Sequence, residues 1–111
     1  MAGEISYIEI GSGNAQATAR FISDLFGWAF SPMGDAGDGW FEAAGIRAGL
    51  HGNDPAHGTV VYFRVSDLEA SAARVRELGG EVEEPAAEEP GFGRFYNCRD
   101  PQGLRFGLHQ P

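Results

Sequence analysis

Of the 111 residues, one is cysteine, Cys98. A lone thiol cannot close an internal disulfide, and it excludes a cysteine-rich zinc module. No segment approaches the ~18 apolar residues of a membrane span. The start, MAGEISYIEI, has neither the basic region nor the long apolar stretch of a secretory leader. Basic residues are scarce, eight against sixteen acidic, for a net charge of −8. That balance argues against a nucleic-acid partner, whose phosphates need a basic footprint, and it admits a cationic ligand. These absences predict a soluble, cytoplasmic protein with no nucleic-acid or membrane partner. The length predicts one domain over residues 1–111 with one modest core.

Glycine is abundant, 17 residues, with six prolines and no low-complexity period. Many short strands separated by tight turns are expected. Two helices stand out. The first is predicted from about Asn14, as N-cap, to Phe26, with Ala17, Phe21 and Leu25 forming its inward stripe and Gly27 ending it. The second is predicted over Leu68–Leu78, with Leu68, Ala72, Val75 and Leu78 as its stripe. Ser66 with Glu69 has capping-box spacing there, and Asp67 competes as the cap. Each helix follows an alternating strand, Ile5–Ile10 and Thr59–Val65. Shorter strands are predicted at Trp28–Pro32, Gly39–Ala43, Ile46–His51, Glu81–Glu84, Arg94–Cys98 and Leu104–His109. Pro85–Gly91 reads as a polar loop and Asn53–Gly58 as a linker.

The two halves match one another. Ser6–Ile10 (SYIEI) aligns with Val61–Val65 (VYFRV), Leu25-Phe26-Gly27 with Leu78-Gly79-Gly80, and Gly39-Trp40-Phe41 with Gly93-Arg94-Phe95. Gly45–His51 (GIRAGLH) and Gly103–His109 (GLRFGLH) agree at five of seven positions. Four matches in one order point to an internal duplication. The predicted fold is α+β: two βαβββ modules, about 4–52 and 58–110, related by a pseudo-twofold and forming a curved mixed sheet around a cleft. A ferredoxin-like sandwich fits the helices but leaves two of the strands unassigned.

YIEIGSGNAQATARFISDLFGW, YFRVSDLEASAARVRELGGEV and RDPQGLRFGLHQ together resemble the vicinal oxygen chelate superfamily, which includes glyoxalase I, bleomycin-resistance proteins and extradiol dioxygenases. The resemblance covers nearly the whole chain and implies the same paired-module fold. In metal-dependent members, His, Gln or Glu near the start of each first strand and Glu near the end of each last strand hold a divalent ion. Carried over, those positions fall on Ile5, Val60, Gly49 and Gly107, none of which offers a donor atom. No metal and no cofactor are therefore expected. The resemblance also admits a homodimer.

Strand alternation sets Ile8, Ile10, Ile46, Leu50, Val61, Phe63, Val65, Leu104, Phe106 and Leu108 against the helices. The opposite face carries Tyr7, Glu9, Arg47, Tyr62, Arg64 and Arg105, with small Gly49 and Gly107 leaving room. Glu9 and Arg64 are repeat-equivalent and could pair. With Trp40, these residues form the candidate ligand site: tyrosine and tryptophan rings to stack on, and arginine forks to hold an anionic or carbonyl group. Arginines bridging to Glu9 or Glu42 on a wet, unused face are the plain alternative. His51 and His109 are repeat-equivalent and end their strands, either as a rim pair or as surface imidazoles; His57 lies in the linker.

The leading expectation is a metal-independent protein of the bleomycin-resistance type that sequesters an aromatic or polycyclic metabolite or drug. The second is a metal-free isomerase, cyclase or lyase acting next to a carbonyl, with Glu9 as base. A domain for protein contacts through Trp28, Phe30 and Trp40 is a third. A metal enzyme built on His51, His109 or Glu42 is a fourth.

Overall fold

The computed structural model describes residues 3–34, 37–43, 45–55 and 58–111. The elements are β1 (Glu4–Gly11), α1 (Ala15–Phe26), β2 (Ala29–Pro32), β3 (Gly39–Ala43), β4 (Ile46–His51), β5 (Gly58–Arg64), α2 (Leu68–Glu77), β6 (Glu81–Glu89), β7 (Gly93–Arg99) and β8 (Arg105–Gln110). The order βαβββ thus occurs twice, with parallel and antiparallel pairs mixed, an α+β fold as the repeat predicts. Among the described residues no helix is long and apolar enough to cross a membrane. The linker histidine, His57, lies outside the described residues.

The chain divides into two compact units, Tyr7–Val60 and Val61–Pro111 together with the start of β1. In the first, the strand order is β2-β3-β4-β1. β4 runs parallel to β1, which needs a long crossover, and α1 lies within it. Asn14 caps α1, its side chain accepting from the Ala17 amide, and Gly27 ends it in the left-handed conformation at φ 71°.

The inward face of α1 differs from expectation. Ala15 and Ala19 are buried, with Ile22 partly so, against Phe41, Ala48, Leu50, Ile8 and Ile10. Ala17, Phe21 and Leu25 instead point outward. Alanines allow the helix axis to sit close to the sheet, and the large side chains are left on the far side. Phe41 and Leu50 carry most of this small core, each contributing about 1.5–3 kcal/mol by its burial.

In the second unit the order is β5-β8-β7-β6, with β5 and β8 parallel. Asp67, not Ser66, caps α2 by accepting from the Ala70 amide. Leu68 and Ala72 of the predicted stripe are buried against Val65, Tyr96, Cys98 and Leu108, and Val75 packs beside them. Leu78, at the end of that stripe, is exposed.

Leu104 is also exposed, at 66%, against its expected place in the core. The Asp100 carboxylate accepts from the Gln102 and Leu104 amides, so Leu104 belongs to the turn and β8 starts one residue later. Pro85–Glu89, expected as loop, continues β6. β6 is an edge strand, and its register with β7 shifts between Glu83 and Ala87, so Pro85 sits where no ladder amide is required.

Candidate functional site

In the first unit, the face away from α1 is built by pairing. Tyr7 lies beside Arg47 and Glu9 beside Gly49 on the β1–β4 pair. On the other flank of β4, Trp40 lies beside Gly49 and Glu42 beside Arg47. Paired residues share a face, so Tyr7, Glu9, Trp40, Arg47 and Gly49 converge there. The Arg47 guanidinium lies over the Trp40 ring at 4.9 Å and reaches Glu42 at 3.5 Å. The bridge to Glu42 foreseen as the plain alternative for Arg47 is therefore present.

Four polar groups form a continuous chain on this face. The Tyr7 hydroxyl donates to Glu9 Oε1 at 2.6 Å. Glu9 Oε2 meets His51 Nδ1 at 2.6 Å, and His51 Nε2 meets Asp54 Oδ2 at 3.1 Å. Carboxylates only accept, so an imidazole bonded to one at each nitrogen is satisfied as the imidazolium. Accordingly the His51 pKa is raised above 6.5, mainly by the hydrogen bond to Glu9, with partial burial opposing and Asp54 assisting.

The backbone fixes this arrangement. The Ser12 amide donates to the His51 carbonyl, the Asp54 amide to the Ser12 carbonyl, and the Gly52 amide to the Asp38 carboxylate, all within 2.9–3.0 Å. Gly11 has no side chain where the Asp54 carboxylate and the His51 ring sit, and a Cβ there would collide with Asp54.

The second unit handles the repeat-equivalent positions differently. Tyr62 lies beside Gly107 and is buried, its hydroxyl donating to Asn97 Oδ1 and its ring meeting Phe95 edge-on at 5.6 Å. His109 is 4% exposed. Its Nε2 meets the Phe92 carbonyl at 2.6 Å and its Nδ1 meets the Ser6 hydroxyl at 2.5 Å. A carbonyl only accepts, so Nε2 donates to it. The Phe92 ring stacks on the imidazole at 3.9 Å. This histidine is a packed, satisfied group, whereas His51 sits in a charged network. Arg64 and Arg105 are exposed, and Arg105 lies beside Arg99 on the β7–β8 pair.

The two glycines do not leave open room. A side chain at Gly49 would collide with the Tyr7 hydroxyl and the Glu9 carboxylate, and one at Gly107 with the Tyr62 ring. Tyrosines therefore fill the volume beside both glycines. Ile5, Gly49, Val60 and Gly107, the positions to which the resemblance points, carry no donor side chain for a divalent ion. His51 does not replace them, because its two nitrogens face Glu9 and Asp54 in opposite directions. Among the described residues no group of three or more His, Cys, Asp or Glu is placed to hold a metal.

Sequence reasoning named Tyr7, Glu9, Trp40, Arg47 and Gly49, which come together, and gave no role to Asp54 or Asn97. It set Glu9 against Arg64, whereas both Glu9 oxygens are engaged by Tyr7 and His51. The repeat of His51 and His109, with Asp54 three residues beyond His51, was the available signal.

Comparison with known proteins agrees with the fold. The family model described as Glyoxalase/Bleomycin resistance protein/Dioxygenase superfamily matches residues 4–108. The anthracycline biosynthesis protein DnrV of Streptomyces peucetius is 31% identical over 96% of this chain. The chain spans about half the length of that relative, 46%. Among solved structures, the hypothetical protein BH1468 from Bacillus halodurans C-125 superposes with a TM-score of 0.78 at 11% identity, covering 98% of this chain and 94% of the other. Methylmalonyl-CoA epimerase from Mycobacterium tuberculosis superposes with a TM-score of 0.73 at 17% identity, covering 97% of this chain and 87% of the other. These two likenesses show the fold. The chain belongs to the glyoxalase/bleomycin resistance protein/dioxygenase superfamily.

Proposed function

We propose that the chain binds an aromatic or polycyclic small molecule, without a metal, on the face of the β1–β4 sheet turned away from α1. The observation that carries this reading is the Trp40–Arg47 pair beside Tyr7 and Glu9. The Trp40 ring, with the Arg47 guanidinium over one face, lies there near a hydroxyl and a carboxylate. That combination suits a fused-ring ligand bearing carbonyl or hydroxyl groups. The relatives named for anthracycline biosynthesis support the ligand class, since an anthracycline is a polycyclic aromatic. The absence of donor side chains at Ile5, Gly49, Val60 and Gly107 supports metal independence.

The test is a thermal-shift panel of hydroxyanthraquinones and an anthracycline on protein treated with a chelator. A binder at 100 times its Kd adds about 2.7 kcal/mol of stability. The same ligand should lose most of its shift with Trp40→Ala. No shift across the panel refutes the reading.

One observation favours a second reading, a metal-free isomerase, cyclase or lyase: the Tyr7–Glu9–His51–Asp54 chain. Glu9 would take the proton from a carbon next to a carbonyl, the electron pair moving onto the carbonyl oxygen. Glu9→Gln then abolishes turnover while ligand binding survives. Turnover unaffected by that change excludes this reading.

A further inference from the structure

We propose that Ser6 and His109 act as nucleophile and base in acyl transfer, cleaving small carboxylic esters, with Arg64 stabilising the oxyanion. The proposal is independent of the ligand reading, and its residues all belong to the unit made of the start of β1 and Val61–Pro111. The Ser6 hydroxyl lies 2.5 Å from His109 Nδ1. The other ring nitrogen, Nε2, donates to the Phe92 carbonyl at 2.6 Å. In the neutral ring that bond sets the tautomer and leaves the lone pair on Nδ1, facing Ser6. A hydroxyl, a base and a third group that orients the base are the parts of an activated serine. The Phe92 ring, stacked on the imidazole at 3.9 Å, holds its plane.

Exposure separates this pair from a hydrogen bond that only fills the core. His109 is buried, whereas Ser6 is partly exposed. The base is shielded from water, and the hydroxyl it faces can meet a ligand. Backbone bonds fix the segments that carry them. The Val65 amide donates to the His109 carbonyl and the Gly3 amide to the Arg64 carbonyl, each at 2.9 Å. Arg64 lies beside His109 on the β5–β8 pair, so the two share a face. Its side chain is exposed, and among the described residues it is in no ion pair. A cation left unpaired in a chain of net charge −8 points to a negative charge supplied from outside. The repeat sharpens the contrast: carboxylates engage His51, whereas a hydroxyl and an arginine attend His109. In the reaction, Ser6 Oγ bonds to the ester carbonyl carbon and its proton passes to His109 Nδ1. The ester C–O bond breaks, and the leaving oxygen takes that proton. Water then attacks the acyl-serine and gives a proton to Nδ1. The acyl–Oγ bond breaks, Oγ recovers the proton, and the carboxylic acid leaves.

p-Nitrophenyl acetate is the probe. The chain has no lysine, so no side-chain amine competes for the acetyl group. The wild type should release p-nitrophenol and carry one acetyl group on Ser6, located by peptide mass spectrometry. Ser6→Ala should abolish both. His109→Gln should slow acylation by about a hundredfold or more. Arg64→Gln should slow it roughly fivefold, the most that a screened, exposed charge contributes. Circular dichroism checks the fold of each variant; if the buried His109→Gln does not fold, Ser6→Ala and Arg64→Gln, at accessible sites, decide the matter. No acetyl group on Ser6, or release of p-nitrophenol unchanged in Ser6→Ala, overturns the proposal. A folded His109→Gln with the full rate overturns the base assignment, and an unaffected Arg64→Gln overturns the oxyanion assignment.

Discussion

Replacing His51 with Gln removes one charge from a network of three, and the effect should depend on pH in one direction. In the fold the imidazolium is favoured by Glu9 and Asp54, which raises its pKa above 6.5. Its stabilisation is therefore complete below about pH 6.5, where the unfolded histidine is also protonated. It fades as the pH rises through the higher folded value. The His51 side chain is 40% exposed, with Glu9 at 26% and Asp54 at 16%, so solvent screens both pairs. Partly exposed ion pairs contribute roughly 0.2–1 kcal/mol each, which sets the cost of His51→Gln at about 1 kcal/mol near pH 5.5. For a domain of this size that is a fall in Tm of about 4 °C. Thermal unfolding of both proteins from pH 5.5 to 8.5 measures the difference, and imidazole titration by NMR gives the His51 pKa directly. A gap in Tm that grows with pH, or a His51 that titrates at or below 6.5, refutes the charged-bridge assignment.

Other consequences follow from packing and caps. Gly107→Ala should destabilise by about 1–3 kcal/mol, because its Cβ would meet the buried Tyr62 ring; chemical denaturation measures it. Gly11→Ala should push the Asp54 carboxylate away and bring the His51 pKa down towards its ordinary value, read by the same NMR titration. Asn14→Ala should cost about 1 kcal/mol through loss of the α1 cap, visible in the same denaturation series. Burial pushes the Cys98 thiol up to about 11, so a thiol reagent at neutral pH should modify it only after unfolding.

The fold was legible because duplication leaves a record in residue types. The match of Gly45–His51 with Gly103–His109 marks β4 and β8, and the two helices begin and end at caps that can be recognised locally. The inward face of α1 was not legible. Periodicity weights the large side chains Phe21 and Leu25, while the sheet accepts the small ones, Ala15 and Ala19. The continuation of β6 through Pro85 was hidden because proline is excluded from ladders except at edges and bulges, and only the topology shows that β6 is an edge.

The site was half legible. Alternation puts Tyr7, Glu9, Arg47 and Gly49 on one face, and the structure has them there. The link from Glu9 to His51 joins residues 42 apart in the chain, and the parallel pairing of β1 with β4 creates it. The glycines were misread for a related reason. A glycine on the face away from the helix suggests space, but the neighbouring strand supplies a tyrosine that occupies it.

Calorimetric titration of chelator-treated protein with a hydroxyanthraquinone, set beside the same titration of Trp40→Ala, tests the proposed function most directly. Saturable binding that needs no added metal and is weakened at least tenfold by the substitution is the predicted result. Binding that appears only on adding a divalent ion, or that ignores Trp40, contradicts it.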